Sequence, residues 1–463
     1  MKKRSVIFLL LFPAFVFSAT SICTSQVPQG KKEISSLQNE MPKLLSLSQQ
    51  IALRESWLRK RHGLLLDMMR KHGIDMWIVV NEEFHDDPLT QHVAPPLPYA
   101  SGRDIFIFMD TGEKGLRKVA LLGFWEEHAR RFFETDWPKD PRPADKVLSE
   151  LFTTYQPNKI GLGMGGSRGV QRSLTHDSYL FLSKKMGPEA TKRFVSAASL
   201  IEEYLDTRIP EELEQYTNLV RLTDVLTRRA FSNEVITPGK TTIGEVRRWL
   251  YDQVAANGCG LWFEPDLRIY EKGVEPKFYL GFPAVAEESA VIERGQLLHI
   301  DFGIIYMGFH SDWQKNAYVL RKDEKDVPEG LKKAMANTNL LQDVLACASR
   351  PGLTAGDVSE KVIVEMEKKG IEAKVYSHPI GNQGHGLGTG IGFGFRPGSK
   401  REPSKMTKLL RKGSYLSMEL NTVTPVPEWG GKNAIIAMED DVYLTDEGYK
   451  FFVPRQEKYY LIY

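Results

Sequence analysis

The chain has 463 residues, more than one ordinary domain, so its length predicts two. With 42% hydrophobic and 26% charged residues it has the apolar content for a large packed core, which excludes a disordered or fibrous class. A formal net charge of +2 excludes the basic field that nucleic acid or an acidic membrane surface would select.

The first residues read as an address. Lys2-Lys3-Arg4 precede an apolar run from Val6 to Phe17, followed by the small residues Ser18, Ala19, Thr20 and Ser21. This layout predicts a secretory signal peptide over residues 1–21, too short to span a membrane, and hence an exported protein, periplasmic or extracellular. Cys23 offers a lipoprotein anchor as the alternative, against the bulky Ile22 before it. Cys259 and Cys347 are too few for a disulfide framework; they either pair or stay as two buried thiols. Residues 22–45 are polar without a period and read as a linker.

Residues 46–72 place Trp57, Leu64 and Met68 at helical spacing and stop at Gly73. Short apolar runs follow at Met76–Val80, Ile105–Phe108, Val119–Leu122 and Lys159–Leu162, with helical stretches near 143–155 and 176–186. Alternating strands and helices predict a first α/β domain over 46–205. Gly161, Gly163, Gly165, Gly166 and Gly169 lack the Lys-Ser/Thr or dinucleotide pattern of a phosphate cradle, so they read as an ordinary turn.

From 206 the pattern changes. A long helix over 211–233 leads to PGKTTIGEVRRWLYDQVAANG at 238–258, and another over 329–348 leads to PGLTAGDVSEKVIVEMEKKG at 351–370. Both segments run Pro-Gly, Thr, Gly, an acid, Val and an amphipathic helix, and Thr242 with Glu245 and Thr354 with Asp357 are capping pairs. Helix, Pro-Gly, helix and strands, twice, predict two halves related by an internal pseudo-twofold.

Between the repeats, residues 297–320 read as a β-hairpin about Tyr306-Met307-Gly308, with Asp301 and Asp312 brought roughly opposite each other. Like charges on facing strands repel, and burying them among Ile, Phe and Trp costs more unless they are paired or hold a metal. The predicted strands of the second half are 372–378, 414–424, 434–444 and 457–462. Glu419 and Glu439 sit within two of them, and one of Glu439, Asp440 and Asp441 must face the core while the others could lie at the surface. His385 lies in a glycine-dense loop, 381–398, and is the natural nitrogen donor beside four acids. Four carboxylates and one imidazole provide oxygens enough for two divalent ions, with manganese, cobalt, zinc and iron(II) all suited to such donors.

In their local contexts HIDFG…SD, GHGLG, SMEL and AMEDDVYLTDEG, these residues resemble the ligand order Asp, Asp, His, Glu, Glu of the pita-bread metallopeptidases, in the Xaa-Pro aminopeptidase and prolidase branch. The resemblance implies an α+β chain with a creatinase-like N-terminal α/β domain and a pita-bread catalytic domain over 206–463. It implies that Asp301 binds one ion, that His385 and Glu419 bind the other, and that Asp312 and Glu439 bridge both. Glu419 would also shuttle the proton of the attacking water, manganese is the metal first expected, and a short peptide is the implied substrate. A homodimer is the implied quaternary state, with no stable membrane contact unless Cys23 carries lipid.

The sequence also departs from that pattern. Residues 261–290 contain no histidine, where the family carries one that contacts substrate. Gly381 and Gly392 stand where proline-specific members have histidines around the metal histidine, and Gln314 stands at a position held by a small hydroxyl residue. Glu264, Tyr270, His310 and Arg396 are the candidate substitutes. Two other readings therefore stand beside the peptidase: a metal-dependent hydrolase of a non-peptide substrate, and a non-catalytic binding protein on the same scaffold.

Overall fold

The apolar residues spaced along Leu47–Lys71 make one helix, α1, which ends as the chain turns through Gly73 at φ 61°. This computed structural model describes residues 37–124, 126–135, 142–274, 278–279, 282–392 and 407–463. The expected signal peptide, Cys23 and Arg396 lie outside them.

After α1 come β1 (Met76–Glu82), β2 (Arg103–Asp110), β3 (Leu116–Leu121), α2 (Ala144–Tyr155), β4 (Ile160–Leu162), α3 (His176–Met186), β5 (Phe194–Ser196) and α4 (Ala198–Asp206). The strands form one sheet in the order β3-β2-β1-β4-β5, in which β2 runs antiparallel to both β1 and β3, and β4 and β5 run parallel to β1. Alternate residues of β1 face opposite ways. Trp77 and Val79 pack with α1 and α4, whereas Met76, Ile78 and Val80 pack with α2 and α3. A sheet covered on both faces explains why its strands read as unbroken apolar runs.

The chain from 206 onward repeats one plan. Helices α5 (Leu213–Ala230) and α6 (Ile243–Ala256) precede β6 (Asp266–Tyr270), β7 (Leu297–Asp301), a small hairpin of β8 (Ile304–Tyr306) and β9 (Phe309–His310), and β10 (Gln314–Val319). Helices α7 (Glu329–Ala348) and α8 (Ala355–Lys368) precede β11 (Glu372–Val375), β12 (His378–Pro379), β13 (Tyr415–Ser417), β14 (Leu420–Pro425), β15 (Asn433–Met438) and β16 (Asp441–Thr445). The meander β6-β7-β10 in one half matches β11-β14-β15 in the other. The Thr242 hydroxyl accepts the Glu245 N–H and the Glu245 carboxylate accepts the Thr242 N–H, while Thr354 accepts the Asp357 N–H. Such caps stabilise by about 1 kcal/mol each, and they start α6 and α8 at equivalent points.

Five details differ from the sequence expectations. The stretch 297–320 is not one hairpin: the chain leaves the sheet after Asp301, makes β8 and β9 through a turn with φ 55° at Met307 and 82° at Gly308, and returns at Gln314. Asp301 therefore pairs across the strands with Gln314, and Asp312 lies two residues before it. The strands expected over 414–424 and 434–444 are interrupted at Met418-Glu419 and at Glu439-Asp440. Asp440 and Asp441 are both buried, because each finds a partner far along the chain. In the expected linker, Met41, Leu44 and Leu45 pack on the catalytic core, and the Leu45 N–H donates to the Tyr306 hydroxyl at 2.9 Å. Cys259 and Cys347 are free thiols, and Cys347 is exposed rather than buried.

Candidate metal centre

The four interruptions in these strands deliver the acids to one place. Asp301 ends β7, Asp312 comes just before β10, Glu419 just before β14 and Glu439 just after β15. Side chains that leave a strand at its end are freed from the pleat and turn inward together. The two halves meet here, and Asp301 and Asp312 are themselves within hydrogen-bonding reach.

The imidazole among them is His378, from β12. Its Nε2 lies 3.3 Å from Glu439 Oε1, 3.5 Å from Asp312 Oδ2 and 4.0 Å from Glu419 Oε2. Its Nδ1 is 3.2 Å from the Pro379 carbonyl, the contact that orients a ligating ring with Nε2 towards the acids. His385 is the next ring outward, 4.6 Å from His378 between centroids and 5.5 Å from Trp262. Trp262 in turn donates its indole N–H to the Ser311 carbonyl at 2.9 Å, and it leaves no room for a Cβ at Gly303 or Gly384. One tryptophan thus locks the histidine loop against the loop that carries the aspartates.

The electrostatics are those of a site built for positive charge. Burial, and then the Glu439 charge, push the Asp301, Asp312 and Glu419 carboxyls well above the usual range. Burial also acts on Glu439, but the His378 ring facing it at 3.3 Å and hydrogen bonds from Ser417 and Gln314 outweigh it and hold that carboxyl low. His378 is held above the ordinary histidine value because Glu439 and Glu419 outweigh its burial. Burial, helped by the His378 and Arg168 charges, lowers His385 to about 4. Asp301 Oδ1, Asp312 Oδ1 and His378 Nε2 are buried with no hydrogen-bond partner among the described residues. Asp312, His378 and Glu439 each offer a ligand atom within 4.8 Å of the others. Unpartnered oxygens and an unpartnered ring nitrogen converging on one point are the donor set of a divalent cation.

A buried frame holds this set. Lys315, fully enclosed, donates to the Glu439 carbonyl at 2.6 Å and to Asp440 Oδ1 at 2.8 Å, and its ammonium lies 3.6 Å from the centre of the Trp313 ring. Gln342 donates to Asp440 Oδ2 at 2.7 Å. Asp441 accepts the Tyr216 hydroxyl at 3.1 Å and the Asp312 N–H at 3.3 Å.

The centre opens into a cavity of about 570 Å³ whose wall includes Asp301, Glu419, His378, His385, Tyr376, Leu387 and Arg268. The Gly-rich turn of the N-terminal domain brings Ser167 and Arg168 to the same cavity, and Lys408 reaches it paired with Glu202 at 2.7 Å. Sequence reasoning named neither Arg268 nor Arg168. Arg268 lies on β6, next to the strand of Asp301, in the histidine-free stretch, and alternation along β6 was the one signal for it. Of the candidate substitutes, Glu264 is paired with Arg247 at 2.8 Å, Tyr270 is buried in β6, and His310 lies 6.1 Å from Trp262 between ring centres.

Fold and centre together define a two-domain pita-bread metallohydrolase. Residues 214–446 match metallopeptidase family M24, and the chain belongs to that family. It is 22% identical over 395 residues to the Xaa-Pro dipeptidase of Pyrococcus horikoshii, covering 83% of this chain and 94% of that one. The solved X-Pro aminopeptidase of Thermotoga maritima superposes with a TM-score of 0.61 at 15% identity, covering 85% of this chain and 99% of that one. The solved Xaa-Pro dipeptidase of Bacillus anthracis gives 0.58 at 17% identity, covering 88% of this chain and all of that one (100%).

Proposed function

We propose that the protein is an exported exopeptidase that removes the N-terminal residue of short peptides, with proline after the bond cut. Two divalent cations, manganese first among them, would be held by Asp301, Asp312, Glu419, Glu439 and an imidazole of the 378–385 segment. The observation that carries this reading is the convergence of buried, unpartnered Asp301, Asp312 and His378 atoms in a cavity wide enough for a dipeptide or tripeptide. The names of the similar proteins support the choice of bond. The basic start and apolar run of residues 1–21 support export.

Cations bound there supply Lewis acidity to the scissile carbonyl and to an attacking water. The chain's own residues then do the rest. Glu419, on the wall of the cavity, accepts the proton that water loses as its oxygen bonds to the carbonyl carbon. It returns that proton to the departing nitrogen as the C–N bond breaks, leaving a free amino acid and a shortened peptide. Leu387, Tyr376 and Pro379 offer apolar surface for side chain and proline ring, and Arg168, Arg268 and Lys408 supply positive charge for the far carboxylate.

The test is mass spectrometry of a mixed peptide library incubated with the mature protein and Mn(II), with and without a chelator. Chelator-sensitive loss of single N-terminal residues is the expected result. A second reading, hydrolysis of a non-peptide C–N or ester bond, is favoured by one observation: neither Gly381 nor Gly392 has room for a side chain. Metal-loaded protein that cuts no peptide would move the assignment there.

A further inference from the structure

The cavity above leaves one buried pair without a role. His299 lies on β7, fully enclosed, and its Nε2 is 3.0 Å from Gln314 Oε1 at the start of β10. The Gln314 amide nitrogen is 2.7 Å from Glu419 Oε1 and 2.8 Å from Glu439 Oε2. We propose that His299 and Gln314 are a positioning pair: His299 fixes the Gln314 amide, and Gln314 fixes the carboxylates of Glu419 and Glu439 together.

The argument is a count of hydrogens. A side-chain amide has two N–H bonds, and here each meets a different glutamate. A hydroxyl at position 314 would have one and could serve one carboxylate only. The amide brings a weakness with it, since rotation by half a turn would set its oxygen against two anions. His299 removes that freedom by donating Nε2–H to Gln314 Oε1. Its other nitrogen, Nδ1, is buried without a partner among the described residues, so one ring proton suffices.

The clamp also sorts the carboxylate oxygens. Glu419 Oε1 and Glu439 Oε2 are taken by the amide, which leaves Glu419 Oε2 and Glu439 Oε1 to face His378 at 4.0 and 3.3 Å. The amide thus holds one oxygen of each glutamate and leaves the other facing the centre, where Glu439 Oε1 also accepts the Ser417 hydroxyl. Gln314 is itself fixed by the strand, because its backbone exchanges hydrogen bonds with Glu439 at 3.2 Å each way. The inference rests on the metal-centre reading above, in which both glutamates are ligands.

The test compares Gln314→Met, His299→Leu and His299→Gln with the parent, after metal removal and a check that melting temperatures agree. Mn(II) titration by calorimetry is the first readout, and kcat and KM on a peptide the parent cuts are the second. Removing a partner that orients a ligand typically costs about 10–100-fold, so Gln314→Met and His299→Leu should each weaken Mn(II) binding by at least about tenfold. They should lower kcat similarly with KM nearly unchanged. His299→Gln, which keeps an N–H donor near the same place, should recover much of the loss. Folded His299→Leu or Gln314→Met with parental Mn(II) affinity overturns the proposal, as does a His299→Gln no better than His299→Leu. Should Gln314→Met fail to fold, the two His299 variants decide the matter. A parent that takes up Mn(II) but cuts no peptide defeats the peptidase reading alone, since the calorimetry still tests the clamp.

Discussion

Gln314 and Glu439 join the two halves of the catalytic domain: each backbone N–H donates to the other's carbonyl at 3.2 Å, the single β-bridge between β10 and the end of β15. The acids from both halves hang from this seam, so their spacing depends on it.

Removal of an acid at the seam should remove the metal. Asp312→Ala and Glu439→Ala are expected to abolish Mn(II) binding and peptide cleavage together. Calorimetry and a cleavage assay on the same preparations check this, and full activity of chelator-treated protein would defeat the metal requirement.

The two histidines should separate. His378 touches three carboxylates, whereas His385 stands behind it. His378→Ala should lose Mn(II) affinity by orders of magnitude, and His385→Ala should keep most of the affinity while turnover falls. The reverse ranking would restore the ligand that the GHGLG motif indicates.

Acidity should stabilise the metal-stripped protein. Asp301, Asp312 and Glu419 have raised folded-state pKa values, so the folded chain binds protons that the unfolded chain has released. Stability from such groups is complete below the unfolded carboxyl pKa and is lost as pH rises through the folded one, by about 1.4 kcal/mol per pH unit for each retained proton. Glu439, shifted the other way, contributes stability that is lost only as pH falls through its lowered pKa, below that window. With chelator present, melting should be lower near about pH 8 than near about pH 6, and Mn(II) should raise the higher-pH value most. A flat profile with chelator would show that the acids do not hold their protons.

Lys315 should be costly to lose. Its removal leaves Asp440 enclosed with only Gln342 for a partner. Lys315→Met is expected to destabilise by about 3–5 kcal/mol, and Lys315→Met with Asp440→Asn should recover part of it. Urea unfolding measures both; a loss under about 1 kcal/mol would remove the pair from any structural role.

Histidine should not be tolerated at Gly381 or Gly392. A Cβ would come within 2.1 Å of Arg208 at Gly381, where φ is 128°, and within 2.1 Å of the Val375 carbonyl at Gly392, where φ is 91°. Arg208 cannot simply move, since it donates to Asn382 at 2.7 Å and to the Ile380 carbonyl at 2.9 Å. Gly392→His should fold poorly rather than gain activity, as a drop in soluble yield and melting temperature would show.

Local pattern made much of this legible. The Thr242 and Thr354 caps, the stop at Gly73 and the apolar run at Met76–Val80 are each decided within a few residues of chain, and each stands where the pattern places it. What escaped was set by distant partners. Asp440 is buried because Lys315 neutralises it from 125 residues away, and Asp441 because the Tyr216 hydroxyl donates a hydrogen bond to it from 225. Spacing could place His385 in a ligand-like motif, but only the fold shows that His378 reaches the acids. Arg168 was hidden for the same reason, in a glycine turn whose neighbours belong to another domain.

That turn has a consequence for what the protein admits. The proposed metal-binding acids lie at strand ends of the second domain, whereas Ser167 and Arg168 come from the first. Under the proposed function, the far wall of the cavity and the chemistry would be encoded in separate stretches of the polypeptide, so grafting a different loop at 163–169 should change how long a peptide fits without touching a proposed ligand.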